Sequence, residues 1–319
     1  MTKITRGQFL KSASATTAGI VIMPGMMAGK ETVIAQAEPV CVFTKCLQFL
    51  DYNAVGETLA KAGFDGAELA VRTGGQVLPE NVQTDLPKAV KAIQKSGIKV
   101  PMMVSGITDP DDPLTEKVLG TAADQGLRFY RMGYLNYDKS LTVPQNLDKH
   151  KKTIEKLEKI NRKYKIHGGY QNHSGTNVGG PVWDLYWLLK DIDPQYIGVQ
   201  YDIRHAVAEG GMAWPLGMKL LAPWTKSSCI KDFYWKKTND KWILLNVPLG
   251  EGMVNFDSYF KEYASLGLKG PFSIHFEYDL GGAEFGKTNP KMGYDQILTY
   301  MKNDLTWFRK KLVEHGTKM

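Results

Sequence analysis

The chain is poor in cysteine and lacks the spacings that give cysteines a shared role. Its 319 residues include only Cys41, Cys46 and Cys229, and no two of these form a CxxC pair. An odd number of cysteines without that spacing excludes a disulfide framework and a zinc-finger pattern. We therefore expect each thiol to be a small buried side chain rather than a nucleophile.

Nucleotide-binding loops and long apolar runs are missing as well. No GxGxxG turn follows the first predicted strand, and the chain has no P-loop, which disfavours a doubly wound sheet that binds a dinucleotide. The apolar run SASATTAGIVIMPGMMAG near the N-terminus is short and interrupted by glycine. A stable membrane span is therefore not expected.

Excess positive charge is small over most of the chain. The formal net charge is +7, but residues 1–37 hold four basic side chains against one acidic one, so only +4 remains for residues 38–319. So weak a bias does not indicate a nucleic-acid partner. The expected partner is a small molecule, and the sequence leaves the oligomeric state open.

Residues 1–37 are predicted to be an export signal, with an N-terminal helix of the domain as the alternative. Three basic residues precede the small-residue apolar run, and Ala35-Gln36-Ala37 is a small-x-small cleavage pattern. The stretch TRGQFLK resembles a twin-arginine signal with Gly7 in place of the second arginine, so the choice between Tat and Sec export stays open. No lipobox cysteine follows, and the expected location of residues 38–319 is the periplasm.

After residue 38, short apolar runs alternate with amphipathic stretches. The runs predict eight strands, at 39–45, 66–71, 99–106, 128–133, 167–172, 196–202, 227–232 and 271–277. Helical patterns lie between them, at 52–62, 86–96, 114–125, 144–165, 181–191, 255–265 and 292–315. Strands that alternate with helices through right-handed crossovers predict the α/β class and a single (β/α)8 TIM barrel over residues 38–319.

Polar side chains gather at the predicted C-terminal ends of the strands, where such barrels carry their active sites. They are Lys45, Glu68, Arg72, Arg131, Tyr134, Gln171, Asn172, His173, Asp202, Arg204, His205, Lys231, Asp232, His275 and Glu277. Residues two apart on a strand share a face, so His275 and Glu277 point the same way. His205 is expected in a loop beyond its strand. Either Lys231 or Asp232 points into the barrel mouth, because one register step reverses the two faces.

Six motifs carry a family resemblance. They are FDGAEL at 64–69, YQNH at 170–173, YDIRH at 201–205, CIKD at 229–232, PLGEG at 248–252 and HFE at 275–277. On these motifs the chain from about residue 40 to its end resembles the xylose-isomerase-like TIM barrels, the sugar phosphate isomerase/epimerase superfamily, and within it an exported bacterial branch. The resemblance implies a TIM barrel that acts on a carbohydrate.

The resemblance also implies a metal site, which this chain matches only in part. The family's metal-dependent epimerases hold a divalent cation with Glu, Asp, His and Glu from strands five to eight, and the matching positions are Gln171, Asp202, Cys229 and Glu277. The glutamine brings no charge and cannot replace the general base, and a thiol suits softer metals. One divalent metal (Mn, Mg, Co or Zn) held by Asp202, Glu277 and Gln171, or by a neighbouring histidine, stays open.

The expected activity is sugar isomerisation or epimerisation by removal of a proton next to a carbonyl. Glu277 is the expected base, and His205 and His173 are expected to exchange protons near neutral pH. Lys231 or Lys45 would stabilise an enolate oxygen. The candidate substrate-binding residues are Gln171, Asn172, Arg204, Glu68, Arg72 and Trp235.

Two alternatives remain open at this stage. The same groups suit β-elimination by a 3-keto-glycoside lyase or hydrolase in a periplasmic glycoside pathway. The replacements at Gln171 and Cys229 also suit a non-catalytic sugar-binding barrel. An endonuclease-IV-like DNA repair enzyme shares the fold, but it needs a histidine-rich multi-zinc site that these strand ends do not supply.

Overall fold

Ten strands and nine α-helices make up the part of the chain that the computed structural model describes, residues 39–316. The strands are β1 (Val40–Phe43), β2 (Gly66–Ala70), β3 (Lys99–Val104), β4 (Phe129–Arg131), β5 (His167–Gln171), β6 (Ile197–Asp202), β7 (Thr225–Ile230), β8 (Asp232–Thr238), β9 (Lys241–Val247) and β10 (Phe272–Ile274). The helices are α1 (Tyr52–Ala62), α2 (Val82–Gln94), α3 (Pro113–Asp124), α4 (Val143–Tyr164), α5 (Val182–Leu189), α6 (Ile203–Gly210), α7 (Trp214–Leu221), α8 (Phe256–Ser265) and α9 (Tyr294–Glu314). The predicted export signal at 1–37 lies outside these described residues.

Eight of the strands close a parallel barrel in the order β1-β10-β7-β6-β5-β4-β3-β2. Strands β2, β5 and β6 are buried along their whole length, as expected when helices cover the outside of a parallel sheet. The predicted (β/α)8 barrel is therefore confirmed. All three cysteines are free and buried, as predicted.

Local signals explain the helices that the sequence predicted well. The Asp51 side chain caps α1 by accepting a hydrogen bond from Ala54 N at 2.9 Å, and Gly63 ends the helix with φ at +94°, a conformation that glycine adopts without penalty. Helix α4 begins with a capping box between Thr142 and Gln145. No helix among the described residues is long and apolar enough to cross a membrane.

Helix α6 was not predicted, and it changes the position of one candidate residue. The helix begins at the residue after β6, and its first turn is capped by Asp202, whose Oδ1 accepts a hydrogen bond from His205 N at 3.0 Å. The prediction that His205 lies in a loop was therefore wrong. A strand that ends in an aspartate has an N-cap ready for a helix, and this signal was missed.

The antiparallel hairpin β8–β9 was also missed. Its turn is made by Asn239 and Asp240, which have φ of +47° and +59°. Two consecutive left-handed residues are typical of the tight hairpin turn that follows the strand twist, and Asn and Asp tolerate that conformation. The hairpin rises directly after β7 and brings Asn246 to the mouth of the barrel.

Asp232 is the residue that fixes the loop after the hairpin. Its two carboxylate oxygens accept hydrogen bonds from the backbone N–H groups of Phe233, Gly250, Gly252 and Val254, at 2.8 to 3.2 Å. A side chain at Gly252 would collide with this carboxylate. The Asp232 side chain therefore points to the loop after the hairpin, and the side chain of its neighbour Lys231 points into the mouth.

Candidate functional site

Lys231 is the centre of the charged groups at the barrel mouth. It directly follows β7 and is only 2% exposed. Its Nζ lies 3.0 Å from Asp202 Oδ2, 3.3 Å from Glu277 Oε2 and 2.7 Å from His205 Nε2. Burial alone would lower the pKa of Lys231, but the charges of Asp202 and Glu277 outweigh burial and raise it. The lysine is therefore an ammonium ion with three hydrogen-bonding neighbours.

The two carboxylates beside Lys231 are held in their ionised form. Burial works to raise the pKa of Asp202, but Lys231 and the hydrogen bond from His205 N leave it below its usual value. Glu277 is 23% exposed in its side chain and has Lys45 Nζ 3.7 Å from its other oxygen. Lys231 and Lys45 together hold the pKa of Glu277 well below its usual range despite burial.

Gln171 lies at the end of β5 with both ends of its amide engaged. Its Oε1 accepts hydrogen bonds from Arg131 Nη1 at 2.9 Å and from the Tyr134 hydroxyl at 2.6 Å. Its Nε2 donates to Asp202 Oδ2 at 2.6 Å. An amide accepts on one side and donates on the other, whereas an ionised carboxylate only accepts, so this arrangement fits glutamine and not an ionised glutamate. Arg131 and Tyr134 were noted at the strand ends but were not among the predicted site residues.

His205 is held as a neutral imidazole. Its Nδ1 lies 3.0 Å from Ser174 N, 2.8 Å from Ser174 Oγ and 2.7 Å from Arg204 Nη1, and its Nε2 lies 2.7 Å from Lys231 Nζ. Burial and the charges of Lys231 and Arg204 lower the pKa of His205 well below its usual value. The predicted role of His205 in proton exchange stays a prediction.

His173 has one nitrogen available for proton transfer. Its Nδ1 lies 2.9 Å from the carbonyl oxygen of Ser174, and because a carbonyl only accepts, Nδ1 carries the proton and Nε2 the lone pair. The half-buried ring packs between Tyr134 and His205, with centroid distances of 4.7 and 4.0 Å. Burial and Lys231 lower the pKa of His173, so it too is neutral near pH 7. No described group hydrogen-bonds to its Nε2.

Two of the predicted substrate-binding residues have no free polar atoms. Asn172 donates to Asp202 O at 2.9 Å and accepts from Asp202 N at 2.8 Å, which joins β5 to β6. Glu68 is fully buried and accepts hydrogen bonds from Gln200, Ser273 and His275 at 2.6 to 2.7 Å. These contacts correct the expectation that Asn172 and Glu68 face a substrate, because both side chains hold the barrel together below the mouth.

The remaining candidates surround the central group. Arg204 donates from Nε and Nη2 to Asn246 Oδ1 at 3.1 and 2.6 Å, and Asn246 donates to the backbone oxygen of Glu277 at 3.2 Å. Sequence reasoning missed Asn246 because the hairpin that carries it was not predicted. Arg72 lies over the ring of Phe43, with 5.3 Å to the centroid.

Lys45 and Trp235 differ in their exposure. Lys45 is half-buried beside Glu277, and burial lowers its pKa. Trp235 lies on β8, is 40% exposed and meets Phe233 edge to face at 6.2 Å. Its predicted role in sugar binding stays a prediction.

A cavity of about 570 Å³ lies at the opposite end of the barrel. It is lined by residues just before or at the start of the strands, among them Arg128, His167 and Lys226. Burial and the charge of Lys226 lower the pKa of His167 to about 3, so this ring is neutral. His167 begins β5 and so lies at the end of that strand opposite to Gln171.

The role of Asp202, Glu277 and Gln171 as metal ligands at the mouth stays a prediction. Within residues 39–316, the one group of three acidic, histidine or cysteine side chains with ligand atoms within 4.8 Å of one another is elsewhere, at Asp257, Glu314 and His315 on the surface. The Asp257 carboxylate there already pairs with Lys311 and His315 at 2.9 Å.

Comparison with solved structures gives the same barrel at low sequence identity. A D-tagatose 3-epimerase-like protein is 15% identical with a TM-score of 0.63, over 87% of this chain and 98% of that one. A D-allulose 3-epimerase from Methylomonas sp., solved with D-allulose, is 13% identical with a TM-score of 0.65, over 86% and 97%. A 3-keto-D-glucoside 4-epimerase from E. coli is 12% identical with a TM-score of 0.58, over 81% and 94%. At these identities the likeness shows the fold alone.

Sequence comparison identifies the family. No curated protein matches the chain. The family described as xylose isomerase-like TIM barrel matches residues 57–310, from α1 to the last helix. This match spans most of the chain and includes β5 to β10, the strands that carry Gln171, Asp202, Lys231 and Glu277 to the mouth. The chain therefore belongs to the xylose isomerase-like TIM barrel family.

Proposed function

We propose that the chain is an enzyme that isomerises or epimerises a carbohydrate by moving a proton at a carbon next to a carbonyl group. One observation carries the proposal: a buried ammonium, Lys231, lies at the barrel mouth beside an ionised carboxylate, Glu277, and within reach of neutral histidine rings. Such a reaction needs a cation near the carbonyl oxygen and a group that takes the proton. The mouth supplies both.

Two side chains are the proposed proton acceptors. Glu277 is ionised and is the most exposed partner of Lys231, and the lone pair of His173 Nε2 is unengaged in the described structure. An epimerase that removes a proton from one face and returns it to the other uses two such groups, whereas an isomerase needs only one. The effects of replacing each residue separately therefore distinguish the two reactions.

The proposed substrate is an uncharged keto-sugar. Arg131, Arg204 and Lys231 already donate hydrogen bonds to Gln171, Asn246 and two carboxylates, which supports a substrate that does not depend on a phosphate group. The names of the similar structures, which include epimerases of D-allulose and of a 3-keto-D-glucoside, support the same class. Arg72 and Trp235 are the proposed contacts to the sugar outside the reacting carbon.

Deuterium exchange tests the proposal. The protein is incubated in D₂O with D-allulose, D-tagatose and a 3-keto-D-glucoside, and the sugar is followed by NMR. We expect deuterium at the carbon next to the carbonyl, with Glu277→Gln reducing the rate by about 100-fold or more. Glu57→Gln, on the exposed face of α1, is the matched control and should keep the wild-type rate. A sugar that binds without exchange in the wild-type protein would indicate a non-catalytic binding barrel instead, and release of the aglycone from the glycoside would indicate a lyase.

We also propose that residues 1–37 direct export and that the barrel acts outside the cytoplasm. The basic start, the apolar run and the Ala35-Gln36-Ala37 pattern support this. Cell fractionation of the full chain and of a chain that starts at residue 38 tests it. The full chain should be found in the periplasm in a shortened form, and the truncated chain should remain in the cytoplasm.

A further inference from the structure

We propose that the Lys231 ammonium takes the place of the divalent metal ion in this chain, so that the site is built around a fixed organic cation and has no need of a metal. The catalytic part of this inference rests on the proposed proton transfer, whereas its binding part does not. Three independent features of the mouth lead to it: the positions of the carboxylates, the state of the other two ligand positions, and the balance of charge.

The two carboxylates at the family's ligand positions both face the same ammonium. Asp202 Oδ2 and Glu277 Oε2 lie 3.0 and 3.3 Å from Lys231 Nζ. A metal ion shared by these oxygens would have to sit about 2.0–2.6 Å from each of them, which is the space that the ammonium fills. A second cation beside it would be repelled at short range in a buried site.

The other two ligand positions carry poor ligands in the structure. Gln171 turns its N–H toward Asp202 and its oxygen toward Arg131 and Tyr134, so its one ligand atom is already used. Cys229 is a fully buried thiol, and a sulfur ligand suits softer metals than Mg²⁺ or Mn²⁺. The donor set does not fit the family's metal.

The balance of charge at the mouth disfavours a further cation. The carboxylates Asp202 and Glu277 are opposed by five basic side chains, which are Lys45, Arg72, Arg131, Arg204 and Lys231. The site therefore carries an excess of positive charge before any ligand binds. Such a site favours an oxygen that gains negative charge during a reaction, and it repels Mn²⁺ or Mg²⁺.

The ammonium has a clear place in the proposed reaction. Its contact with Glu277 is the longest of the three and the most open to solvent, so a carbonyl oxygen can take the place of Glu277 at Nζ. When the proton leaves the neighbouring carbon for Glu277 or His173, the C–H electron pair forms the carbon–carbon double bond. The carbonyl oxygen becomes an enolate oxygen next to Nζ. Return of a proton to carbon restores the carbonyl, with no net oxidation or reduction.

Metal binding to the wild-type protein is the first test. The purified full-length protein is treated with EDTA, freed of chelator and titrated with Mn²⁺, and free Mn²⁺ is followed by its EPR signal. We expect no stoichiometric binding at the mouth. One Mn²⁺ bound per chain and lost in Asp202→Asn would overturn the inference, and this readout is independent of any sugar reaction.

Removal of the ammonium is the second test. Lys231→Met leaves Asp202 and Glu277 without their shared cation, so we expect this variant to bind Mn²⁺ at least about tenfold more tightly than the wild type. Lys45→Met is the matched control, since it also removes a positive charge beside Glu277 but keeps the ammonium, and it should gain no such affinity. Equal gains in the two variants would contradict a specific role for Lys231.

The two proposals fail in different ways. If the wild-type protein leaves Mn²⁺ free and exchanges no proton in any sugar, the proposed enzymatic function is wrong. The inference that Lys231 replaces the metal ion is then still supported. If the protein binds Mn²⁺ at Asp202 and exchange depends on it, the function stands and the inference is wrong. If Lys231→Met does not fold, the titration of the wild-type protein still decides the question.

Discussion

Gln171 Nε2 lies 2.6 Å from Asp202 Oδ2 at the barrel mouth, so a neutral amide donates to a buried carboxylate at a position where the family's metal-dependent members carry an acid. The opposite side of the amide accepts from Arg131 and Tyr134. The glutamine is thus part of a hydrogen-bonded network that keeps Asp202 ionised and in place beside Lys231. Four predictions concern this network and the groups around it.

Gln171→Glu should destabilise the protein more at pH 8 than at pH 5. The new carboxylate would lie against Asp202, so its pKa rises in the folded state, and stability is lost as the pH rises from the unfolded pKa through the folded one. Arg131 offsets part of the repulsion, and we expect a net cost of about 1–3 kcal/mol at pH 8. Urea unfolding at the two pH values measures the difference.

The control for this change is Gln94→Glu, on the exposed end of α2. It adds the same charge without a buried acidic neighbour and should change stability by no more than about 0.5 kcal/mol at either pH. A Gln171→Glu variant as stable as the wild type at pH 8 would show that the amide is not needed beside Asp202.

Lys231→Met should lower the free energy of unfolding at pH 7 by about 3–5 kcal/mol, because it leaves Asp202 as a buried charge without its partner. The pKa of Asp202 is lowered in the wild type, so its contribution to stability is present above the unfolded pKa and is lost as the pH falls through the folded pKa. The deficit of the variant should therefore shrink in acid. Denaturant unfolding from pH 7 to pH 3 measures this. Lys88→Met, which breaks an exposed pair with Asp85, should cost no more than about 1 kcal/mol.

His173 should set the acid limb of the pH–rate profile. The neutral ring is the form that accepts a proton, and burial and Lys231 lower its pKa. The rate should therefore stay level as the pH falls from 8 through the usual range of histidine and drop only at more acid pH. Measurement of kcat/KM from pH 4 to pH 9 tests this, and in His173→Gln the acid limb should change. A limb at or above pH 7 in the wild type would contradict the assignment.

Asp232→Ala should loosen the loop at 248–254 without removing a group from the mouth. The carboxylate accepts hydrogen bonds from three backbone N–H groups of this loop and from Phe233 N, and leaving several of them unpaired should cost about 1–3 kcal/mol. Gly252→Ala should also destabilise, because its Cβ would collide with the same carboxylate. Asp124→Ala, on the exposed face of α3, is the control in a thermal melt. Melting temperatures equal to that of the wild type would show that the clamp does not stabilise the loop.

The barrel could be predicted from the sequence because its signals are local and repeated. Apolar runs alternate with amphipathic ones, and helix α1 has its predicted bounds because Asp51 caps its start and Gly63 its end. The hairpin β8–β9 was missed although Asn239 and Asp240 favour a tight turn. Many residues of its two strands are exposed, so the sequence there shows no regular apolar face. The hydrophobic pattern therefore did not distinguish these strands from a loop.

The arrangement at the mouth could be predicted only in part, because it depends on contacts distant in sequence. The choice between Lys231 and Asp232 is made by the N–H groups of a loop nearly 20 residues later, which a local pattern does not contain. Burial and the charges of Lys231 and Arg204 lower the pKa of His205, whereas the usual pKa of histidine alone indicates titration near neutral pH.

Proton exchange in the presence of a chelator is the most direct test of metal-free catalysis beside Lys231. The EDTA-treated protein is incubated in D₂O with D-allulose, D-tagatose or a 3-keto-D-glucoside, and deuterium next to the carbonyl is measured by NMR for the wild type and for Lys231→Met. If the Lys231 ammonium takes the place of a metal ion, a sugar should exchange at the same rate with and without EDTA, and exchange should be lost in Lys231→Met. Exchange that stops with EDTA and returns with Mn²⁺, or exchange that survives in Lys231→Met without metal, would contradict this inference.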